Sequence, residues 1–206
     1  MSNLLLFLLS VIAISLSGVM TPGPMFAVTI AKGKFDENAG LYIALGHGII
    51  EIPLIVLIYF GFSQFFTYEL IKKSIGFIGG MMLLYMGYSM FKTRKNVKEK
   101  ILSFNYNSLI AGIVATGANP YFLLWWATIG AALVFNATNY GLFGLIIFVL
   151  THWMCDLTWD LLISKIVYKS KRFWNKKIHE VIFTFCALIL FSFGLWFIIS
   201  SLNIVI

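Results

Sequence analysis

Three long stretches of this chain carry no charged side chain: residues 1–31, 101–155 and 181–206. A run of about 20 apolar residues is enough to cross a hydrocarbon core of about 30 Å. Charged residues make up 11% of the 206 residues, whereas about 25% is usual in globular proteins. Because lipid offers the backbone no hydrogen-bond partners, such spanning segments are helical. The sequence therefore predicts an all-α membrane protein rather than a soluble domain.

The apolar segments and the basic residues together predict a topology. Six spans are expected, at about residues 4–31, 40–66, 74–91, 109–135, 140–164 and 181–201. Of the 15 Lys and Arg residues, 13 fall in three alternate connections, residues 32–38, 92–100 and 165–177. Basic loops stay in the cytoplasm, so both termini are expected outside the cell membrane. The net charge of +7 then suits contact with anionic lipid rather than with nucleic acid.

The same ionisable pair occurs twice in this chain. His47 and Glu51 lie in the second predicted span, and His152 and Asp156 follow 105 residues later in the fifth. An acid four residues after a histidine shares its helical face. The chain is therefore expected to be one membrane domain of two three-span repeats, residues 1–100 and 101–206. Because each repeat has an odd number of spans, the second must be inverted, as in transporters whose site lies near the midplane.

The correspondence between the two halves is approximate. Gly87 and Gly194, in the third and sixth spans, are offset by 107 residues, but Pro24 and Pro120 are offset by only 96. The first spans of the two halves are thus about nine residues out of register. Either the symmetry is approximate or the first span is longer than its partner.

Prolines interrupt the first span of each predicted repeat. Pro22 and Pro24 each remove a backbone donor, and Gly23 between them permits irregular dihedral angles. A helix that restarts near Pro24 exposes N–H groups that bind an anion such as a carboxylate. The second break, Asn119–Pro120, frees a carbonyl about one turn earlier. Both breaks have a plainer interpretation as kinks, in which Asn119 merely satisfies the freed carbonyl.

The two His/acid pairs are the strongest candidates for chemistry, because a carboxylate near the bilayer centre costs about 2.5–3.5 kcal/mol. A cluster of His47, Glu51, His152 and Asp156 suits proton exchange. Asp160, one turn beyond Asp156, is either a further member of this polar face or the partner of a loop lysine. The same two imidazoles and two carboxylates could equally bind a divalent metal ion.

At these residues the chain resembles the LysE/RhtB family of amino-acid exporters. The resemblance covers nearly the whole length, and three segments are similar to a largely archaeal branch of LysE-type translocators: Gly46 to Glu51, Asn119 to Trp126 and His152 to Asp156. It implies substrate binding at the two breaks, which comprise Pro22, Gly23, Pro24, Asn119, Pro120 and Tyr121. Many members carry Lys directly after Asn-Pro, where this chain has Tyr121, so the resemblance does not extend to a particular substrate.

Together these features predict a secondary transporter, not an enzyme, that exports an amino acid or similar small zwitterion in exchange for protons. Protons would be carried by His47, Glu51, His152, Asp156 and Asp160. The alternative is a divalent-cation exporter that holds its metal with His47, Glu51, His152 and Asp156. Rival classes are an intramembrane enzyme and a scaffold subunit without a site. No P-loop pattern is present, and no cofactor is expected. The expected partners are a small-molecule substrate, protons and the bilayer, and not nucleic acid. Gly76-x-x-x-Gly80 is a weak helix-contact signal, either within one subunit or between the two copies of a homodimer.

Overall fold

The computed structural model describes residues 2–21, 23–62, 68–95 and 107–202, and within these ranges the chain is helical with no strand. The helices are α1 (Ser2–Val19), α2 (Pro24–Gly33), α3 (Ala39–Tyr59), α4 (Glu69–Thr93), α5 (Ser108–Gly117), α6 (Pro120–Trp125), α7 (Ala131–Thr138), α8 (Gly141–Ser170) and α9 (Lys176–Ser201). A π-helical turn at Trp126–Gly130 joins α6 to α7, and a 3₁₀ turn at Lys171–Phe173 follows α8. The all-α prediction is confirmed for this part of the chain.

Among the described residues, fewer segments have the length and apolar composition of a membrane span than the six that the sequence predicts. Among the described residues, four segments are long and apolar enough to cross a membrane: Ala39–Tyr59, Tyr121–Thr138, Gly141–Phe173 and Lys176–Ser201. The bent pair Leu4–Val19 and Pro24–Gly33 makes a fifth if it counts as one span. The third predicted span, residues 74–91, lies inside the 25-residue α4 but is not among these segments. The chain is a multi-pass membrane protein, and six spans stays a prediction.

Both predicted helix breaks are present. α1 and α2 meet at an angle of 76°, and Pro24 is the first residue of α2. Pro120 is the first residue of α6, after α5 ends at Gly117. Proline is favoured at this position because its missing N–H would have no intrahelical partner and its fixed φ suits a helix. Each proline therefore starts a helix rather than bending a continuous one.

The ends of the helices shift from the predicted spans for local reasons. α3 ends at Tyr59 rather than near residue 66, and Gly61 follows with φ +89°, a conformation that favours glycine. α9 begins at Lys176, earlier than the predicted residue 181, because the Asn175 side chain caps it by accepting from Ile178 N at 2.8 Å. A helix can continue past the apolar segment once water and charged side chains surround it.

Helices α3 and α8 pack against each other at the centre of the molecule. Gly40 lies so close to the Asp160 carbonyl oxygen that a Cβ would clash with it, so the two backbones approach closely. The interrupted helices flank this pair, with α5 against α3 and with α1 and α2 against α8, while α4 packs along α9. One face of α3 is thereby held against one face of α8. The break after α5 lies beside α3, and the break between α1 and α2 lies beside α8.

Candidate functional site

The two His/acid pairs meet between α3 and α8. Glu51 Oε1 lies 2.9 Å from His47 Nε2 and 3.2 Å from His152 Nε2. Asp156 Oδ2 lies 3.6 Å from His152 Nε2 and 3.9 Å from His47 Nε2. All four side chains are buried, and Glu51 has 0% exposure. Because each pair shares one helical face, the packing of α3 on α8 joins them into one cluster, called here the central cluster.

Each imidazole also contacts a hydroxyl from an interrupted helix, on the ring nitrogen that does not face the carboxylates. Thr116 Oγ1, in α5, lies 2.9 Å from His47 Nδ1, and Ser15 Oγ, in α1, lies 2.6 Å from His152 Nδ1. An ionised carboxylate only accepts hydrogen bonds, so each Nε2 donates toward Glu51, and each Nδ1 of a neutral ring accepts from its hydroxyl. The hydroxyls thus orient both rings, and each hydroxyl comes from the other half of the chain.

Aromatic rings enclose His152 more completely than His47. Trp125 stacks on His152 with ring centroids 5.5 Å apart, and Trp126 meets it edge-on at 5.0 Å. Phe122 alone is edge-on to His47, at 5.2 Å, among the ring contacts of the described residues. The π-helical turn begins at Trp126; such turns recur at functional sites because they re-aim side chains within a helix.

A cavity of about 350 Å³ connects the central cluster with both helix breaks. This volume is at the small end of the roughly 300–1,000 Å³ typical of pockets for small molecules. Aromatic side chains form much of its wall, including Phe26, Phe122, Trp125, Trp159 and Trp196. Among the described residues that line it there is no lysine or arginine. The cavity therefore offers acidic and imidazole groups in an otherwise apolar chamber.

Three polar atoms in the cavity wall have no hydrogen-bond partner among the described residues. They are Glu51 Oε2, Asp156 Oδ2 and the indole Nε1 of Trp159, all buried. Buried polar groups are almost always satisfied in native proteins. These two acceptors and one donor belong to residues that line the cavity, and a molecule or ion that reached them would satisfy them.

Asp160 belongs to the same polar face and not to a lysine pair. Its Oδ1 accepts a hydrogen bond of 2.8 Å from Thr29 Oγ1, in α2. Asp160 and Thr29 are both buried, and Asp160 also lines the cavity. Of the two interpretations of Asp160 that the sequence left open, the geometry favours the polar face.

At the first break, the backbone conformation of Gly23 differs from the expectation. Gly23 has φ −155° and ψ −168°, an extended conformation that any residue can adopt. A Cβ at Gly23 would lie 3.8 Å from Thr21 O, an ordinary contact. The irregular dihedral angles expected of Gly23 are not observed, and Pro24 is the first residue of the helix after the break. Gly23 and Pro24 both line the cavity, whereas Pro22 lies outside the described residues.

At the second break Asn119 has a capping role. Its Oδ1 accepts from Tyr121 N at 3.1 Å and so satisfies the start of α6. The Thr116 carbonyl accepts instead from the backbone N of Asn119, also at 3.1 Å. Asn119 and Tyr121 line the cavity; the side chain of Pro120 lies outside the described part of the structure.

A second buried polar contact lies at the other end of α2, away from the cavity. Lys34 Nζ donates to His179 Nδ1 at 2.8 Å, and three aromatic rings lie with centroids 5.2 to 5.9 Å from this nitrogen. Burial, and to a smaller extent the positive charge of Lys171, lowers the pKa of Lys34 to about 8. The sequence contains no motif that indicates this contact.

A metal ion would also find ligands in the central cluster. His47, Glu51 and Asp156 each offer one ligand atom, and these atoms lie within 4.8 Å of one another. Imidazole and carboxylate ligands suit Zn²⁺, and related first-row ions bind the same ligand types. His152 Nε2 lies close to both carboxylates, so the residues that sequence spacing suggests for a metal are brought together.

Sequence reasoning missed the groups that hold the predicted residues in place. Ser15, Thr116 and Thr29 are hydroxyls within apolar spans, where such residues are common and usually bond to their own helix. A signal exists for two of them, because Ser15 and Thr116 each lie shortly before the break in corresponding spans. Trp159 has no comparable signal, since its orientation depends on how α8 packs.

The fold and this site define the class as a multi-pass helical membrane protein with a central cavity for a small molecule or ion. A family model, LysE type translocator, matches residues 16–201, and the chain belongs to that family. It is therefore a membrane exporter of small molecules, in a family of transporters rather than enzymes. No curated protein and no solved structure matches the chain.

Proposed function

We propose that this protein exports an amino acid or a similar small zwitterion by proton antiport. The central cluster would carry the protons, and the cavity between the two helix breaks would hold the substrate. One observation carries this proposal. Each carboxylate lies within 4 Å of both imidazoles, and all four residues line the cavity that also reaches both helix breaks.

The geometry supports proton coupling because the charges in the central cluster depend on one another. One oxygen of Glu51 lies within 4.8 Å of one oxygen of Asp156. Two carboxylates this close in an apolar chamber titrate as one coupled system and not independently. Binding of a cation in the cavity would then favour loss of a proton from the same groups. This linkage is the thermodynamic requirement for exchanging substrate against protons.

The cavity has complementary groups for the two ends of a zwitterion. The unsatisfied oxygens of Glu51 and Asp156 suit an ammonium group. The first turn of α2 has no side-chain cap, so the N–H groups of Met25 and Phe26 are available to a carboxylate. The Trp159 indole N–H is a further donor. Aromatic walls would contact an apolar side chain of the substrate.

Several contacts support the inverted repeat on which this mechanism depends. Gly80 in α4 faces Gly194 in α9, and a Cβ on either would lie 2.7 to 2.9 Å from the other's carbonyl oxygen. Gly87 faces Ala187 along the same pair of helices. The offset of 107 residues that relates Gly80 to Ala187 also relates Gly87 to Gly194. Two-fold related contacts of this kind are expected where the third spans of inverted repeats meet.

The register mismatch between the first spans also has a structural counterpart. Helix α2, after the first break, has 10 residues, whereas the helical run after the second break continues from Pro120 to Thr138. The mismatch therefore arises from a short segment after the first break and not from a longer first span.

The three basic connections lie close together, which supports the predicted topology. Arg94, in connection 92–100, is 3.8 Å from Glu180 near the start of α9. Lys34, in connection 32–38, contacts His179 in the same region. We propose that this side faces the cytoplasm. A reporter that is active only in the cytoplasm should be inactive after fusion to the C-terminus; activity there would contradict the orientation.

The proposal is tested in proteoliposomes with an imposed pH gradient. A ¹⁴C-labelled mixture of the protein amino acids inside the vesicles should leave faster when the outside is acidic, and Glu51→Gln should remove that acceleration. Thr158→Val, on the exposed face of α8, is the matched control and should behave as wild type. A flux that ignores the gradient, or no flux of any amino acid, would contradict the proposal.

Export of a divalent cation is a second candidate, favoured by the ligand atoms of His47, Glu51 and Asp156. The aromatic walls argue against a hard cation such as Mg²⁺ or Ca²⁺, which prefers oxygen-rich surroundings, so Zn²⁺ or a related first-row ion would be the cargo. Elemental analysis of the purified protein separates the two candidates. A stoichiometric metal that disappears in Glu51→Gln would favour the cation; a metal-free protein that transports amino acids would exclude it.

A further inference from the structure

Buried polar side chains continue along α8 beyond the central cluster. His152, Asp156, Asp160 and Ser164 recur at every fourth residue, and all four are buried. Four residues of helix rise about 6 Å, so this polar file extends roughly 12 Å from Asp156 to Ser164. A charged or polar side chain inside a membrane helix is costly, and a continuous file of them marks an ion or proton path by default.

Each member of the file beyond Asp156 is bonded to a different element. Asp160 accepts from Thr29 in α2 at 2.8 Å. Ser164 Oγ donates to the carbonyl oxygen of Glu37 at 2.9 Å, and Glu37 lies in the basic connection 32–38. The file therefore runs from the central cluster to the side of the molecule where the basic connections meet.

The matching face of α3 has no such continuation. The residues that follow His47 and Glu51 at the same spacing are Ile55 and Tyr59. Ile55 is 1% exposed and belongs to an apolar cluster on the other side of the central cluster. That cluster consists of Val11, Leu54, Ile55, Ile58, Trp126, Leu133, Val134, Ala137 and Phe148. Of the two matching helix faces, therefore, only that of α8 continues with buried acidic and hydroxyl side chains beyond the central cluster, among the residues that the structure describes.

We propose that Asp160, positioned by Thr29, is the relay through which protons pass between the central cluster and the side of the basic connections. A proton from water at that side binds an Asp160 oxygen and moves on to Asp156 or to an imidazole of the cluster, which leaves Asp160 ionised for the next proton. Movement in the opposite direction uses the same steps in reverse. The groups that face Asp160 are Asp156 on its own helix, His47 from α3 and Thr29 from α2. This inference rests on the proposed proton antiport and adds a sidedness to it.

The first test compares two fluxes in proteoliposomes, with the ¹⁴C amino-acid mixture as the probe. In Asp160→Asn, efflux driven by a pH gradient should fall roughly tenfold or more, because a positioned proton-transfer side chain typically contributes about 10²–10⁴-fold. Exchange of labelled for unlabelled amino acids without a gradient should fall by a clearly smaller factor than the gradient-driven efflux. Asp160→Glu should restore most of the gradient-driven flux, which a purely structural role would not predict. Thr158→Val is the control on the same helix.

Parallel variants distinguish failure of the relay from failure of the proposed function. If Glu51→Gln loses coupling while Asp160→Asn keeps it, the relay is wrong and the antiport stands. If Glu51→Gln also keeps coupling, the antiport itself is wrong. Equal loss of both fluxes in Asp160→Asn would mean a structural role and would also overturn the relay.

The second test measures access without any substrate. The only cysteines of the chain are Cys155 and Cys186, so both can be replaced by Ala before one thiol is introduced as Asp160→Cys or Ile55→Cys. A membrane-impermeant methanethiosulfonate should modify the Asp160→Cys variant from the side of the basic connections and not from the other side. The Ile55→Cys variant should not be modified from the side of the basic connections. Modification of Asp160→Cys from the opposite side alone, or from neither side, would overturn the proposal.

Discussion

Helices α3 and α8 carry the same His-x-x-x-acid segment, yet their surroundings differ. On both helices the histidine is oriented by a hydroxyl of an interrupted helix from the other half, Thr116 for His47 and Ser15 for His152. Beyond the acid, α8 continues with Asp160, whereas α3 turns apolar. The shared part is a matched pair of titratable groups. The part that differs, Asp160 on α8, would give this symmetrical site two unequal sides. Proton-coupled exchange across a membrane requires both the site and this difference between its two sides.

The largest effect is expected where the two helices are most alike. Glu51→Gln and Asp156→Asn should each abolish gradient-driven efflux, and the double variant should be little worse than either, because both act through one coupled cluster. Both variants should fold, since the amide that replaces each carboxylate keeps its shape and an acceptor oxygen for the imidazoles. Efflux from proteoliposomes measures this. Additive defects in the double variant, or normal coupling in one single variant, would show that the carboxylates act separately.

A smaller and equal effect is expected at the two hydroxyls. Ser15→Ala and Thr116→Val each leave one imidazole Nδ1 without its partner, at a cost of about 1–3 kcal/mol. Gradient-driven efflux should fall about fivefold or more in both, with substrate exchange less affected. Ser17→Ala, which removes a hydroxyl bonded only to its own helix, is the control. A defect in one variant and none in the other would mean that the two histidines are not equivalent. The denser aromatic surroundings of His152 would then be the structural difference to test as the cause.

The features that were predictable from the sequence are those that depend on one helix at a time. The four-residue spacing places His47 with Glu51 and His152 with Asp156 on shared faces, and the prolines mark where helices restart. The long uncharged stretches predict helices in a membrane. Each of these follows from local geometry or from the solvent and requires no knowledge of packing.

The features that were not predictable depend on contacts between distant segments. Thr29 bonds to Asp160 across 131 residues of sequence, and nothing in either segment indicates the other. The expectation for Gly23 was wrong because proline alone can start α2, so the glycine is not needed for its dihedral angles. The π-helical turn beside Trp126 depends on tertiary packing that a single sequence does not reveal.

The contact between α4 and α9 allows a test of the inverted repeat with two substitutions of different expected size. A Cβ on Gly80 would lie 2.7 Å from the Gly194 oxygen, whereas a Cβ on Gly87 would lie 3.1 Å from the Ala187 oxygen. Gly80→Ala should therefore destabilise the protein by about 1–3 kcal/mol, and Gly87→Ala by less. Gly117→Ala, where a Cβ would meet nothing within 4 Å, is the control. Thermal unfolding in detergent gives the order, and a larger loss for Gly87→Ala would contradict the close packing at Gly80.

The smallest effect is expected at Lys34, where the two halves differ again. The buried Lys34 directly follows α2, whereas the neutral Asn139 directly follows α7. Burial lowers the pKa of Lys34 from its ordinary value of 10.5 to about 8. Between these values the unfolded chain holds a proton that the folded protein has lost, so folding stability from this group rises with pH. Below pH 8 both states are protonated and the contribution is constant.

The melting temperature of the wild type should therefore rise relative to that of Lys34→Met as the pH increases from 8 to 10, by an amount equivalent to about 1 kcal/mol once solvent screening is allowed for. The exposed Lys177 provides the matched control, since Lys177→Met should follow the wild type across the same range. If the difference between wild type and Lys34→Met were constant with pH, the lysine would keep its proton when folded. The contact with His179 and the surrounding rings would then stabilise the cation enough to offset its burial. In that case a permanent positive charge would lie at the end of α2, on the side of the basic connections. The end of α7 is uncharged, so the two halves would differ further at this point.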